Sequence, residues 1–307
     1  MWLIFALITT IAWGVADLFY KKGANEEDKY SHLKTAIMVG LVMGLHAIFM
    51  LIFTDMNYDF RNILIYLPVS AMYILSMTIG YLGLRYLELS ISSPIQNSSG
   101  AVTCILCLIF LHQTLDTISA IAVILICLGV FLLGLFEKHK QDNYFNENNR
   151  KYKIGFVAFF IPIIYCIIDS LGTFFDAYYL DSIETTPLIN VTESTLENVA
   201  NTSYELTFLI CAVLIYLFIR FIKKEKMKPI KQKDRGLAAI FETLGQFTYV
   251  YAMSSMAVIS APLVASYSIV SVVLSRIFLK EKLEKKQYLA VLIVMIGIAL
   301  LGVVEGL

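Results

Sequence analysis

Ten long apolar stretches, separated by polar connections, govern what this chain can fold into. They cover residues 2–20, 34–53, 63–87, 92–111, 118–136, 154–178, 204–221, 236–256, 259–279 and 288–304. Each holds about 17–25 residues, and a helix rising about 1.5 Å per residue then crosses a hydrocarbon core of about 30 Å. The chain is 58% hydrophobic, against about 45–50% for a soluble domain. The reading is an all-α integral membrane protein, multi-pass in the cell membrane with the lipid bilayer as its solvent. The first stretch has no basic segment before it and no small-residue cleavage site after it, so it reads as a retained helix.

Composition excludes several function classes. Formal net charge is zero, which leaves no electrostatic case for nucleic acid. Cys104 and Cys107 form a C-x-x-C inside an apolar run, but no second pair completes a metal site. The remaining cysteines, Cys127, Cys166 and Cys211, also lie in apolar runs. No Walker loop, H-E-x-x-H or nucleophile elbow occurs. No cofactor or metal is expected.

Alternating the ten spans across the bilayer sorts the basic residues. Of 24 Lys and Arg, all but Arg61 fall on one side, in or beside the connections after spans one, three, five, seven and nine. The positive-inside rule makes that side cytoplasmic and places both termini outside. The connection 180–203 falls on the opposite side. It holds Asp181, Glu184, Glu193 and Glu197 without Lys or Arg, and two glycosylation tripeptides starting at Asn190 and Asn201.

Sliding the chain on itself by 168 positions exposes a repeat. Ile91-Ser-Ser-Pro94 meets Ile259-Ser-Ala-Pro262, Ile109-Phe-Leu111 meets Ile277-Phe-Leu279, and Gly129 meets Gly297, with about 16 identities in 44 positions. At another offset, Trp13 and Asp17 meet Tyr165 and Asp169. Spans one to five therefore correspond to spans six to ten, with halves at 1–136 and 154–307. Five is odd, so the ten transmembrane helices form two inverted five-helix repeats. A transporter uses that arrangement to open a central site to either side.

Trp13-Gly14 in the first span and the paired endings Gly129-Val-Phe-Leu-Leu-Gly134 and Gly297-Ile-Ala-Leu-Leu-Gly302 resemble the drug/metabolite transporter superfamily, in particular its EamA-type members. The resemblance implies a central cavity lined by helices one, three, four, six, eight and nine, with five and ten at the periphery. Known members move amino acids, amines, nucleotide-sugars and drugs. The chain departs from the family pattern in three respects. His112-Gln113 and Lys280-Glu281 stand where members usually carry Gly-Glu. Pro94 and Pro262 lie near the starts of their spans. The basic residues place the termini opposite to the usual family arrangement.

Ionisable groups inside the spans carry the functional reading, because a charge at the bilayer centre costs about 2.5–3.5 kcal/mol and such groups normally face an interior cavity. The chief ones are Asp17, Asp169 and Glu242, with Asp176 seven residues beyond Asp169 on the same helical face but nearer the interface. Asp17 has an alternative in pairing with Lys21 one turn on, Asp169 in a helix–helix hydrogen bond, and Glu242 in reaching Arg235. Gln246 and Tyr249 share the Glu242 face, and Gln96 and Ser99 share a face of the fourth span. Trp13, Tyr81, Tyr165, Tyr249 and Tyr267 offer aromatic surface. The predicted substrate is a small molecule, cationic or zwitterionic, moved by alternating access. Asp169 and Glu242 bind its ammonium, a coupling proton, or each in turn. A membrane-embedded enzyme and a scaffold or signalling protein are the rival classes.

Overall fold

The structure, a computed structural model, describes residues 1–25, 27–145, 149–281 and 285–304; side chains at 90, 91, 134, 137–159, 229 and 230 are not described. Lys282 and residues 305–307 of the second half therefore lie outside the described residues, as do the side chains of Lys138, Lys140, Arg150, Lys151 and Lys153.

Among the described residues, twelve α-helices make the ten crossings. They are α1 (Trp2–Gly23), α2 (Ser31–Phe53), α3 (Asn62–Ile65), α4 (Leu67–Gly83), α5 (Leu89–Gln96), α6 (Ser99–Phe110), α7 (Thr117–Phe145), α8 (Asn149–Leu180), α9 (Leu196–Leu217), α10 (Lys233–Ala265), α11 (Tyr267–Leu274) and α12 (Lys285–Val304). Seven helical stretches of the described residues have the length and hydropathy to cross a membrane, and Leu67–Gly83 and Thr117–Leu133 are shorter apolar helices. One of the seven, Lys233–Leu279, supplies two crossings. Met256 leaves helical geometry (φ −164°, ψ 74°), and Ser260 Oγ donates to the Ala252 carbonyl across the turn at 2.7 Å. Large apolar side chains such as Ile11, Leu45, Phe49 and Leu292 face outward, where lipid would meet them.

The halves are joined reciprocally. Gly129 of α7 faces Ala290 and Val294 of α12, where an added Cβ would lie 2.2 Å from Val294 Cγ2. Gly297 of α12 faces Ala122 and Ile126 of α7, with an added Cβ 2.8 Å from the Ala122 carbonyl. These are the same positions exchanged by the 168-residue offset, as a twofold relation between halves requires.

Capping follows the same exchange. Gln113 Oε1 accepts the Val258 N–H at 2.9 Å, just beyond the Met256 kink. Glu281 Oε1 accepts the Leu89 N–H at 3.1 Å, at the start of α5. Each half thus satisfies a helix-start donor of the other. The preceding residues, His112 (φ 51°) and Lys280 (φ 58°), are both left-handed. That conformation suits the glycine usual in the family pattern.

The two ends of the bundle differ in charge. At one end Lys34 Nζ pairs with Asp28 (2.8 Å) and Glu225 (3.1 Å), Arg235 Nη2 donates to Ser31 Oγ at 2.8 Å, and Lys21 Nζ donates to the Leu84 and Leu87 carbonyls at 2.8 and 2.6 Å. Burial opposes the Asp28 charge, but the Lys34 hydrogen bond and charge outweigh it and hold its carboxyl below the usual range. At the other end Asn62 bonds the Ile189 backbone in both directions (2.9 and 3.0 Å), and Gln113 donates to Asp181 at 3.0 Å.

One expectation is corrected. Residues 196–203 belong to α9 instead of a solvated connection, and Asn201, Thr202 and Ser203 are buried. Their polarity masks the helix in the sequence, because the helix packs these groups inward: Ser203 Oγ, for instance, donates to the Val199 carbonyl at 2.6 Å and bonds Tyr58. Buried in a helix, Asn201 is not a glycosylation site of the folded chain.

Lys280→Gly and His112→Gly are each expected to stabilise the protein by about 0.5–1 kcal/mol, because a side chain in the left-handed region is strained. Gly129→Val is expected to destabilise it by about 1–3 kcal/mol through overpacking. Melting temperatures of the purified variants check both signs.

Candidate functional site

Two crossings are broken at matching places. α5 gives way to α6 at Asn97–Ser98, and α10 gives way to α11 at Ser266. Ser98 and Ser266 are repeat partners. Around both, the backbone tightens to bonds three residues apart, Ser98 N–H to the Ile95 carbonyl and Ser266 N–H to the Leu263 carbonyl. Pro94 and Pro262 lie four residues before the breaks. Irregular backbone at membrane depth is tolerated where protein or a cavity surrounds it, and a cavity lies here.

All eleven sequence-predicted site residues line that one cavity. α1 contributes Trp13 and Asp17, α4 contributes Tyr81, and the broken fourth crossing contributes Gln96 and Ser99. α8 contributes Tyr165 and Asp169, α10 contributes Glu242, Gln246 and Tyr249, and α11 contributes Tyr267. The sequence reading missed Tyr20, Tyr73, Asn97 and Tyr204 in the same wall. Tyr20 and Tyr204 stand at the ends of their apolar runs, where Tyr commonly marks the membrane interface. Among the described residues, the wall contains no Lys, Arg or His.

Hydroxyl groups hold the carboxylates. Ser93 of α5 and Ser271 of α11 both donate to Asp17 Oδ2 at 2.7 Å. Lys21 is engaged with backbone carbonyls, so the alternative pairing within α1 is not formed. Ser99, the first residue of α6, donates to Asp169 Oδ2 at 2.7 Å, which sets that carboxyl against the partial positive end of a half-helix. Tyr20 donates to Glu242 Oε2 at 3.3 Å, and Tyr81 in turn donates to Tyr20 at 3.2 Å. Glu242 is 7% exposed, and Arg235 bonds Ser31 and Gln232.

Aromatic rings form the rest of the wall. The Trp13 ring lies 4.9 Å from Tyr249 and 5.7 Å from Tyr267 between centroids, and its Nε1 donates to the Glu242 carbonyl at 3.2 Å. Gly245 makes this placement possible, because an added Cβ would meet Trp13 Cδ1 at 2.3 Å. Tyr73 joins Thr173 (2.9 Å) and Tyr249 (3.0 Å) through its hydroxyl. The cavity volume is about 60 Å³. That is room for a few waters, whereas pockets for small organic ligands run to about 300–1,000 Å³.

His46 contacts both Glu205 carboxyl oxygens at 2.9 and 2.8 Å, away from the cavity. Glu205 is fully buried in α9 and lay unmarked in the sequence at the edge of the seventh stretch.

Removing one hydroxyl donor from the buried Asp17 carboxyl should cost about 1–3 kcal/mol. Ser271→Ala and Ser93→Ala are each expected to lower the melting temperature, and the double variant to lower it further.

No curated protein matches the chain at the sequence level. A solved structure titled only "Crystal structure of protein" is similar to it at 10% identity with a TM-score of 0.65, covering 98% of this chain and 96% of that one; that likeness concerns the fold alone. The EamA-like transporter family matches residues 1–135 and again residues 184–303, once in each half. With two matches to one family pattern together covering most of its length, the chain belongs to the EamA-like transporter family.

Proposed function

We propose that this protein, as a membrane transporter of small molecules, carries an amine-bearing organic cation or zwitterion across the cell membrane by alternating access. The observation that carries the reading is the cavity wall. It sets Asp17, Asp169 and Glu242 among Trp and Tyr faces, with no basic side chain among the described residues. Carboxylates attract an ammonium group, and aromatic faces add cation–π attraction of about 0.5–2 kcal/mol. An anionic substrate would meet three carboxyl groups and no fixed positive charge.

The small cavity volume supports a closed conformation, from which the halves 1–136 and 154–307 part at one end or the other. A coupling proton competes with the substrate for Asp169 and Glu242. The basic end faces the cytoplasm and both termini lie outside.

Asp169→Asn and Glu242→Gln keep shape and remove charge. Each is expected to weaken capture by about 2 kcal/mol or more, a loss of roughly thirtyfold in uptake at low substrate. Proteoliposome uptake across pH measures this, beside the melting temperature. A screen of amines, amino acids and neutral isosteres can be read from Trp13 emission in a Trp2→Phe background. Wild-type uptake and pH dependence in both charge variants would make the carboxyl groups structural.

Orientation has its own test. Cysteines introduced at Lys228 and Glu193 are treated in intact cells with an impermeant thiol reagent. Labelling is expected at 193 and not at 228; the reverse pattern would invert the topology.

A further inference from the structure

Asp176 lies seven residues beyond Asp169 on α8, about 10 Å further along the axis and on the same face. It is about one turn short of the helix end at Leu180 and does not line the central cavity. It is only 1% exposed. Tyr66 donates to its Oδ1, while Oδ2 is buried without a hydrogen-bond partner. A carboxyl group inside a membrane protein with one oxygen unsatisfied is costly. A proton on that oxygen removes the cost.

The titratable groups facing Asp176 come from several elements. They are Tyr66 at the start of α4, Tyr73 of α4, Tyr204 of α9 and Tyr249 of α10. Tyr179 of α8 stands edge-on to the Tyr66 ring at 5.2 Å. Among the described residues, no Lys, Arg or His of α5, α6 or α7 acts on it. Hydroxyls connect this region to the cavity: Thr173, three residues before Asp176, bonds Tyr73, and Tyr73 bonds Tyr249. Beyond Asp176 lies the acidic end, with Asp181, Glu184, Glu193 and Glu197. Its Arg61 is already paired with Asp59 at 2.7 Å. The local field there favours cations.

We infer that Asp176, latched by Tyr66, is a second proton station between the central cavity and the acidic end, taking a proton on Oδ2. Its place on the transport path rests on the transporter reading above; occupancy of the station does not. The Tyr66 latch closes the cavity side from the acidic end, and opening it exposes the loaded carboxyl group to water.

Infrared spectra of the purified protein, taken as differences between pH values, test the station with protons and sodium chloride as the probes. A carboxylic C=O band that titrates is expected in wild type and in Asp169→Asn, and is expected to be lost in Asp176→Asn. The band is expected to persist on adding sodium at fixed pH, and its loss would overturn the proton assignment. Identical pH responses in wild type and Asp176→Asn overturn the station. Should Asp176→Asn fail to fold, Tyr66→Phe keeps the carboxyl group and is expected to displace the pH at which the band appears, and an unchanged band overturns the latch and the station together. Trp13 emission separates the two readings. An amine response without the Asp176 band sinks the station alone, and the band without an amine response sinks the cavity reading alone.

Discussion

Hydrocarbon offers no hydrogen bonds, so polar groups held within the bilayer must find partners inside the protein. The fold follows from how that demand is met. Where α5 begins and where the chain restarts after Met256, the free N–H groups are taken by Glu281 and Gln113 from the opposite half. Where the fourth and ninth crossings break, the cavity surrounds the irregular backbone, with Gln96, Asn97 and Ser99 on one side and Ala265 and Tyr267 on the other. Neither half is complete alone, because each lends the other a cap.

Reciprocity also bears on motion. The α7–α12 contact uses Gly129 against Val294 and Gly297 against Ile126, so the same close approach is made twice in opposite senses. Such a seam can stay packed while the inner helices shift. Two halves with matching contacts can exchange conformations at little net cost, because what one gives up the other regains. On the alternating-access reading proposed above, a population divided between two openings needs only a few kcal/mol of bias from substrate or ions.

Much of this was legible in the residues and some was not. The apolar stretches marked the crossings, and the rule against lipid-facing charge picked out Asp17, Asp169 and Glu242, which the structure gathers at one cavity. Glycine and proline spacing exposed the repeat. The start of α9 was hidden because Asn201, Thr202 and Ser203 resemble a solvated loop until tertiary partners bury them. Tyr73 carried no sequence signal, since a tyrosine in a span is equally a packing residue; only its bonds to Thr173 and Tyr249 give it a place. The helix breaks at Ser98 and Ser266 were invisible for a similar reason: the prolines were plain, but the tightened turn depends on what packs around it.

The partners chosen for the acidic groups divide them into two kinds. Asp28 is paired with Lys34, and Glu205 with His46. The Lys34 ammonium answers the Asp28 charge, and His46 occupies both Glu205 oxygens, as a counter-charge only when protonated. Asp17, Asp169, Glu242 and Asp176 instead receive hydroxyl groups from Ser93 and Ser271, Ser99, Tyr20 and Tyr66. A hydroxyl orients a carboxyl group and satisfies one oxygen without neutralising it. On the proposed reading, the charge that remains is met by a proton or a passing cation, and either can leave again. On that reading, a lysine in place of any of these hydroxyl groups would neutralise the carboxylate in place and leave no role for a mobile cation.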